Sequence, residues 1–564
     1  MTAAKIRRVA HAAAQQQGAE KQKRRQLREK KATAKRPAGR PKQKRYYAKA
    51  RFSLKRLRQL FNNLEIVITV ALPDEPFTKD PARLYSYYQF RPTEVQLHED
   101  GSLKGGLLTF TFAWIDWSFI RLLVAPYYQT SPEGGELWDP VTLFLLDLVR
   151  VLLHFSSRDQ LLEELRQATP LGRAIAAHVG LDLDHPPDSA HPVPSEMAFT
   201  HFRNRIGPVV YEATFHFLVG MLRQLGIITS QVLAFDSALV AAWATFHGCA
   251  NAGQAGHGCP ECPSFKDCDR VPYDLEGGVG HRRQKGHPKE VEAVFGYKAH
   301  VGVSCEVALG MEFPVALLGT AGQLYDGNYF IALLEQMERY HAQVHAAFHL
   351  ADGHYDDFKN YIAARQRGAQ PLFHYNPRNE KTDAANLRAR GYNEVGWPYA
   401  PCGVVMHPNG YDAEAHRVKF TCRQACPDGH AACPFRANHT GWVQNVVVSQ
   451  DSRLVLEIPR GTRRYKIIFA LRSAVERNND YLADHGLARP KYHGLHNWQL
   501  NLFLAGMVTL LCKLYDLLAE ASHQEATPER YPTLDLWPLP LEKAIRERWK
   551  HFHEEDELVA LPDG

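Results

Sequence analysis

The sequence predicts an α/β protein in which helices precede a mixed β-sheet. After Ile227, short apolar runs with strand-like composition alternate with stretches of helical spacing, whereas apolar residues at helical spacing dominate from Asp139 to Leu225. Apolar residues make up 45% of the 564-residue chain and charged residues 23%, which are ordinary values for a globular protein. This composition excludes wholesale disorder, a collagen-like repeat and a disulfide-stapled miniprotein, and the length predicts several domains.

The N-terminal segment is strongly basic. Residues 1–60 contain 21 Lys and Arg against only Glu20 and Glu29, while the remainder of the chain holds 46 basic and 59 acidic residues. We expect residues 1–49 to form a disordered basic arm, because they carry too little apolar surface to offset the entropy of ordering. Such an arm favours a polyanion, and nucleic acid is the commonest one inside cells. The stretch 35–42 (KRPAGRPK) is close to an AT-hook, but Ala38 replaces one of the two expected arginines, and a solvated basic tail or an upstream start codon explains it better.

Residues 50–135 are predicted to be a mixed α/β segment and residues 136–226 a helical, DNA-binding-type domain. The alternation in Leu64–Val70 indicates a strand, and Pro140 suits the first turn of a helix. Further helices are predicted at Ser157–Gln167 and Val209–Leu225. Helix bundles with surface arginines are common, so this segment alone does not establish DNA binding.

Residues 227–520 are predicted to form the α/β domain, and residues 521–564 a C-terminal tail. The sequence indicates strands at Ile228–Phe235, Tyr297–Val303, Val307–Leu318 and Ala346–Ala351, and helices at Asn328–His341, with Asp326 as its cap, and at Tyr465–Asp484.

Three acidic residues stand out in this domain. Asp236 and Asp352 each end a predicted buried strand, and Glu476 lies at the centre of the last helix. Burying an unpaired carboxylate is costly, and binding a divalent cation compensates that cost. Taken one at a time, each aspartate also suits an ordinary turn or helix cap. If neighbouring strands bring them together, such acids can hold two Mg²⁺ ions for phosphoryl transfer.

Four phrases resemble the catalytic landmarks of bacterial insertion-sequence DDE transposases and occur in the same order. They are Ala234–Ser237 (AFDS), Phe295–His300 (FGYKAH), Leu350–Asp356 (LADGHYD) and Arg472–Arg477 (RSAVER). The resemblance covers about Asp139 to Leu518. It implies an RNase H-like mixed-sheet core with an N-terminal helical domain, in which Asp236, Asp352 and Glu476 are catalytic and hold Mg²⁺ or Mn²⁺.

The same resemblance suggests residues that contact substrate. Lys298 and Arg472 are expected near DNA, and Asn376 and Arg378 resemble an element close to the active site. Arg472 lies one helical turn before Glu476, so it can orient the glutamate, grip a phosphate or form an ordinary ion pair.

The chain departs from the family at two positions. Many members have a Tyr where this chain has Phe469, and a Lys where it has Ala483. Lys491 or His493 is a candidate to replace that Lys.

Eight of the ten cysteines form two groups. The first group is Cys249, Cys259, Cys262 and Cys268, and the second is Cys402, Cys422, Cys426 and Cys433. The short spacings within each group match loops that bring thiolates to a structural Zn²⁺. We therefore predict Cys-rich, zinc-ribbon-like insertions at about 245–290 and 380–460; reduced unrelated thiols and one site shared by both groups are the alternatives.

The resemblance implies a DNA transposase that cuts the ends of an insertion sequence and joins them to target DNA. The alternatives are a domesticated, non-catalytic DNA-binding protein and an RNase H-like DNA nuclease without strand transfer. The expected partners are double-stranded DNA (element ends and target) and at least a second copy of the chain. We expect a bacterial cytoplasmic, nucleoid-associated protein without a membrane span, since Lys513 and Asp516 interrupt the apolar run Leu500–Leu518.

Overall fold

The computed structural model describes a large part of the chain, with gaps. The described residues are 66–69, 85–88, 106–113, 115, 117, 119–124, 127, 138–186, 192–243, 246–247, 271–272, 274–284, 287–341, 344–376, 384–422, 433–435, 441–488, 492–526 and 539–552. The predicted basic arm, residues 1–49, lies outside the described residues, as do the first cysteine group, Cys426, Arg378 and Lys491.

Helices dominate the chain before the sheet. A two-stranded pair, β1 (Ile66–Thr69) and β2 (Tyr85–Tyr88), comes first, as the alternation in Leu64–Val70 predicted for β1. The helices that follow are α1 (Gly106–Ala113), α2 (Phe119–Val124), α3 (Pro140–Leu152), α4 (Arg158–Arg166), α5 (Pro170–Val179) and α6 (Glu196–Gln224).

Local capping explains where these helices begin. The Asp139 carboxylate accepts a hydrogen bond from the Val141 amide at 2.9 Å, and Pro140 occupies the first turn of α3. Ser157 caps α4 in the same way. The predicted helix Val209–Leu225 corresponds to the part of α6 after Gly207, where a non-helical backbone with φ of 64°, readily adopted by glycine, kinks the helix. The helical segment from Glu196 to this kink was not predicted.

A mixed six-stranded sheet follows in the described residues, which confirms the predicted α/β class. Its strands are β3 (Val232–Ala241), β6 (Gly278–Gln284), β7 (His287–Glu306), β8 (Met311–Ala321), β9 (Phe348–Ala351) and β10 (Gln370–Phe373). The order is β10-β9-β3-β7-β6, and β8 also pairs with β7. β3 is antiparallel to β7, β7 is antiparallel to β8, and β9 is parallel to both β3 and β10. A short pair, β4 (Phe246–His247) and β5 (Val271–Pro272), lies apart from this sheet.

The first strand extends further than the sequence predicted. Asp236 lies in the middle of β3 rather than at its end, because the long partner β7 supplies pairing positions as far as Ala241 opposite Gly296. β8 also runs three residues past the predicted end at Leu318. A buried strand can include Asp236 because its side chain keeps 21% of its surface exposed.

Helices cover both faces of the sheet. The later helices are α7 (Phe330–Tyr340), α8 (Phe358–Gln366), α9 (Ala384–Ala389), α10 (Arg463–Phe469), α11 (Ser473–Leu482), α12 (Leu495–Ala526) and α13 (Leu541–Phe552). A continuous hydrophobic core joins the early helices, the sheet and the C-terminal helices. The predicted boundary near residue 226 is therefore a change of secondary structure within this core.

Helix α12 is the long apolar element near the C-terminus. Its stretch Leu495–Ala519 is long and apolar enough to cross a membrane, and 78% of its most apolar window is buried in the protein. Gly506 allows the close approach, since a Cβ there would lie 2.4 Å from the Leu317 side chain of β8.

The second predicted Cys-rich segment contains a small antiparallel sheet. It consists of β11 (His407–Asp412), β12 (Arg417–Thr421) and β13 (Val443–Val447). This sheet has its own apolar cluster, which includes Trp397, Phe420 and Cys422.

Candidate active site

The two predicted aspartates lie side by side on neighbouring parallel strands. Phe235 of β3 is paired with Ala351 of β9, and the next residue on each chain segment is Asp236 and Asp352. In-register residues of parallel strands point to the same face, and such strands lie about 4.8 Å apart. The structure thus brings together two carboxylates that are 116 positions apart in the sequence, with 21% and 30% of their side chains exposed.

Glu476 approaches from α11 and is linked to Asp236 through one guanidinium. Arg472 donates from Nη2 to Glu476 Oε1 at 2.5 Å, and its Nη1 lies 3.5 Å from Asp236 Oδ2. Helix α11 packs on β3 and β7, so it carries this pair towards the aspartates. The arginine therefore lies between the two carboxylates, and the Glu476 side chain, 56% exposed, stays on the outer side.

A single turn of 3₁₀-helix sets the direction of Arg472. The predicted helix Tyr465–Asp484 is present as α10 and α11, but the turn Ala470–Arg472 separates them. The predicted face shared by Arg472 and Glu476 is confirmed by their ion pair. The Arg472 guanidinium also lies 6.0 Å from the centre of the Phe469 ring.

The charges of the two aspartates are unequal. Burial and the negative charge of Asp352 raise the pKa of Asp236 to about 7, although the Ser237 amide and Arg472 oppose this shift. Burial also acts to raise the pKa of Asp352, but hydrogen bonds from His354 and the charges of His354 and Arg472 outweigh it and lower the pKa. Near neutral pH the pair therefore carries a full charge on Asp352 and a partial charge on Asp236.

His354 is a direct partner of the aspartate pair. Its Nδ1 lies 2.9 Å from Asp352 Oδ2, and its backbone amide donates to Asp352 Oδ1 at 2.9 Å. The hydrogen bond to Asp352 is the main cause that raises the pKa of His354, with further contributions from Asp326 and Asp236. The His354 side chain is thus exposed and at the same time hydrogen-bonded to Asp352.

Asp326 is the acidic neighbour that sequence reasoning placed in the wrong role. It was predicted to cap a helix, but it begins a 3₁₀ turn, and α7 starts only at Phe330 without a side-chain cap. Its Oδ1 accepts a hydrogen bond from Lys298 Nζ at 2.7 Å, which leaves the carboxylate committed to an ion pair. Its negative charge contributes to the raised pKa values of Asp236 and His354.

The turn that carries Asp326 is held closely against the turn that carries His354. A Cβ on Gly327 would lie 2.4 Å from the backbone oxygen of His354, a distance that no side chain tolerates. Asn360 fixes the same contact, since its Nδ2 donates to Gly327 O at 2.9 Å and to Tyr355 O at 3.0 Å. Backbone packing therefore positions both turns beside the aspartates.

Lys298 and His300 share one face of β7, and it is the face opposite Asp236. Asp236 pairs with Val301, and side chains alternate along β7, so Lys298 and His300 point the other way. His300 is fully buried, and its Nε2 is hydrogen-bonded to Thr320 Oγ1 at 2.8 Å. Its ring stacks on Tyr329. Lys298 is already occupied by Asp326 and the Leu324 carbonyl oxygen.

Asn376 lies after β10, as expected, and braces the turn after Asp352. Its Nδ2 donates to Gly353 O at 3.1 Å, and its amide donates to Asp356 Oδ2 at 2.8 Å. The contact supports a role in positioning that turn. Arg378 lies outside the described residues, so its predicted role stays a prediction.

The donor atoms at the aspartate pair suit a hard divalent cation. Mg²⁺ prefers carboxylate oxygens, and a cation between Asp236 and Asp352 would relieve the repulsion that raises the pKa of Asp236. Glu476 fits less directly because Arg472 already engages it. Among the described residues no group of three or more His, Cys, Asp or Glu side chains is arranged to hold a metal ion. The fit is therefore with Asp236 and Asp352 as ligands, and Glu476 joins them only if Arg472 releases it.

The described cysteines of the second group do not form a metal group. Cys402 is exposed, while Cys422 is buried and its Sγ accepts a hydrogen bond from the Trp442 amide at 3.1 Å. Cys433 is half-buried, and Cys426 lies outside the described residues together with Cys249, Cys259, Cys262 and Cys268. Structural Zn²⁺ in either group stays a prediction.

Comparisons of this chain with protein-family models and with curated proteins find no match.

Proposed function

We propose that this protein is a DNA transposase that catalyses metal-dependent cleavage and strand transfer at the ends of an insertion sequence. The observation that carries the proposal is the aspartate pair on β3 and after β9, with Arg472 and Glu476 facing it. The order of the four phrases in the sequence adds the DDE character, and the basic N-terminal arm adds a polyanion-binding segment.

The sheet supports an RNase H-like catalytic core. Three antiparallel strands (β3, β7 and β8) are followed by two parallel ones (β9 and β10) on the other side of β3. The first acid lies on the central strand and the second follows its parallel neighbour. The edge of the sheet where β9 ends is thus the place where the substrate phosphate would be held.

The residues divide the work by charge. Asp236 and Asp352 would hold Mg²⁺ or Mn²⁺, which when bound activates the attacking hydroxyl and stabilises the leaving 3′-oxygen. Before substrate arrives, Arg472 shares its one positive charge between Asp236 and Glu476. It contacts them through its two terminal nitrogens, so its guanidinium can turn to bind a phosphate instead. His354 keeps Asp352 ionised, so the pair retains negative charge for a cation.

The direct test is Asp352→Asn on DNA carrying the element ends, with Mg²⁺ or Mn²⁺. The variant keeps the shape of the side chain and removes the charge that a metal requires, so we expect cleavage and strand transfer to fall by at least about a hundredfold while DNA binding is retained. Asp357→Asn, in the same loop but capping α8 away from the pair, is the matched control. Full cleavage by Asp352→Asn would contradict the proposal.

Two other functions share part of this evidence. A nuclease of the same fold would cut the ends and never join them, so a strand-transfer assay with a supercoiled target separates it from a transposase. A non-catalytic DNA-binding protein is favoured by one observation, the pairing of Glu476 with Arg472 instead of with the aspartates. For that protein Mg²⁺ would have no effect on DNA, while DNA binding would persist.

A further inference from the structure

A basic cavity lies between α10 and the C-terminal helix α13, away from the aspartate pair. Its volume is about 310 Å³. Arg463 and Arg464 line one wall and Arg546 the other, with Glu542 beside them. Ile467, Ile468 and Ile545 form the apolar part of the lining.

The positive charge of this cavity is only partly compensated. Arg464 donates from Nε to Glu542 Oε2 at 2.9 Å and forms a second bond to the other oxygen, so these two residues neutralise each other. Arg463 and Arg546 have no carboxylate partner among the described residues. The Arg463 Nε is buried and has no hydrogen-bond acceptor among the described residues. A buried donor without an acceptor costs about 1–3 kcal/mol, so a ligand that accepts this hydrogen bond would remove the cost.

The cavity walls are held in place independently of any ligand. Helix α13 buries Ala544, Ile545 and Trp549 against the core, and Arg548 donates to the Val307 carbonyl oxygen at 3.0 Å. Thr462 caps α10 by accepting from the Tyr465 amide. Arg463 and Arg546 therefore line a space whose walls are held by packing of α10 and α13 on the core, and Arg546 is exposed at its surface.

We infer that this cavity binds a phosphate group, and that its ligand is a backbone phosphodiester of DNA. Guanidinium groups bind phosphate oxygens through paired N–H donors, which is what Arg463 and Arg546 offer. The apolar floor suits the sugar that flanks a phosphodiester. The choice of DNA as the source of the phosphate rests on the proposed function.

The cavity also lies at a useful distance from the aspartate pair. Nine residues separate Arg463 from Arg472 along α10 and the following turn, or about 14 Å at the helical rise. Phosphates on one DNA strand are spaced by about 3.4 Å along the helix axis. The cavity, as a phosphodiester clamp formed by Arg463 and Arg546, would therefore hold the DNA strand roughly four nucleotides from the phosphate at the aspartate pair. It would help to position that phosphate.

The experiment uses the full-length chain and three cavity variants: Arg463→Gln, Arg546→Gln and the double variant that carries both changes. The control is Lys550→Gln. Lys550 is exposed, lies one turn beyond Arg546 on the same helix and pairs with Glu547, so it removes equal charge outside the cavity. Binding of a non-specific DNA duplex is measured between 50 and 300 mM salt. Each lost phosphate contact reduces the slope of log affinity against log salt by about 0.9. Because both arginines hold the same phosphate, the double variant should lose about 0.9 and each single variant no more than that.

A second arm measures protection of the same proteins against thermal unfolding by inorganic phosphate. A reduced salt slope in the arginine variants, with the slope of Lys550→Gln unchanged, supports the phosphodiester clamp. Loss of phosphate protection with an unchanged DNA slope supports a site for free phosphate and rejects DNA as its ligand. If neither changes, the inference is overturned. Metal-dependent cleavage by the wild-type chain is scored separately, so a failed clamp does not count against the proposed function.

Discussion

Replacing Asp236 with Asn tests whether the aspartate pair is a strained, metal-ready site. The structure places this carboxylate beside Asp352, and Arg472 is the cation with which it forms an ion pair. An amide of the same shape removes the repulsion but keeps an oxygen that can accept from the Ser237 amide. We therefore expect Asp236→Asn to stabilise the metal-free protein.

The size of this stabilisation and its dependence on pH follow from the raised pKa of Asp236. The carboxyl has an ordinary pKa of 3.8 and a pKa of about 7 in the folded chain, a difference of roughly three units. One unit corresponds to about 1.36 kcal/mol, which sets an upper limit of about 4 kcal/mol, and solvent at the partly exposed side chain reduces this to about 2 kcal/mol. Because the folded pKa is raised, the wild-type chain loses this stability as pH rises from about 4 through about 7.

The assay is thermal unfolding of wild type and Asp236→Asn in EDTA at pH 4, 6 and 8, at one scan rate. The variant should unfold at a higher temperature at pH 8 and at the same temperature as wild type at pH 4. Asp480→Asn, an exposed aspartate on α11, controls for the loss of one charge. A gain at pH 8 that equals the gain at pH 4, or no gain at either pH, would refute the reasoning.

Magnesium should reverse the ranking of the two proteins. A cation that binds only the folded state stabilises it by about 2.7 kcal/mol at a hundred times its Kd, which is more than the roughly 2 kcal/mol expected for Asp236→Asn without metal. Wild type should gain this in excess Mg²⁺ at pH 8, and Asp236→Asn should not, because one ligand has been neutralised. Equal protection of both proteins would place the cation elsewhere.

Two further predictions concern charge around the site and at the N-terminus. Arg472→Gln should lower the stability of the metal-free protein by about 1 kcal/mol and reduce cleavage, while Mg²⁺ still protects the variant against unfolding. The control is Arg166→Gln, which breaks an exposed ion pair on α4. Loss of Mg²⁺ protection in Arg472→Gln would contradict this prediction. Deleting residues 1–49 should flatten the salt dependence of DNA binding, which for 6 to 10 phosphate contacts is about 10³- to 10⁵-fold between 50 and 200 mM salt; an unchanged slope would mean that the arm does not bind DNA.

The sequence predicted the elements whose signals are local. The starts of α3 and α4, the strand before Asp352 and the ion pair between Arg472 and Glu476 all follow from spacing and residue type. The length of β3 did not, because it depends on a partner strand some 60 residues later in the chain. The segment of α6 from Glu196 to Gly207 was also missed, whereas the kink at Gly207 agrees with the break in helical geometry that a Gly-Pro pair favours.

Contacts between side chains on different strands could not be predicted from the sequence. That Asp236 and Asp352 are neighbours could be anticipated, but the face to which Lys298 points depends on the register of β3 and β7. The role of Asp326 could not be predicted either, because its partner Lys298 comes from another strand. A possible signal was available: an Asp followed by Gly is a better turn than a helix cap.

The position of Arg472 would allow the proposed metal site to be stable without metal and still to accept it. Two carboxylates held together need a positive charge, and the guanidinium between Asp236 and Glu476 supplies it from within the chain. Asp352 has a separate partner in His354, so the two acids of the pair are balanced by different groups. A divalent cation bound by Asp236 and Asp352 would make the contact between Arg472 and Asp236 redundant, and the freed guanidinium would face the same edge of the sheet as an incoming phosphate. Binding of metal and binding of a phosphodiester would then favour each other, because each removes a charge that opposes the other.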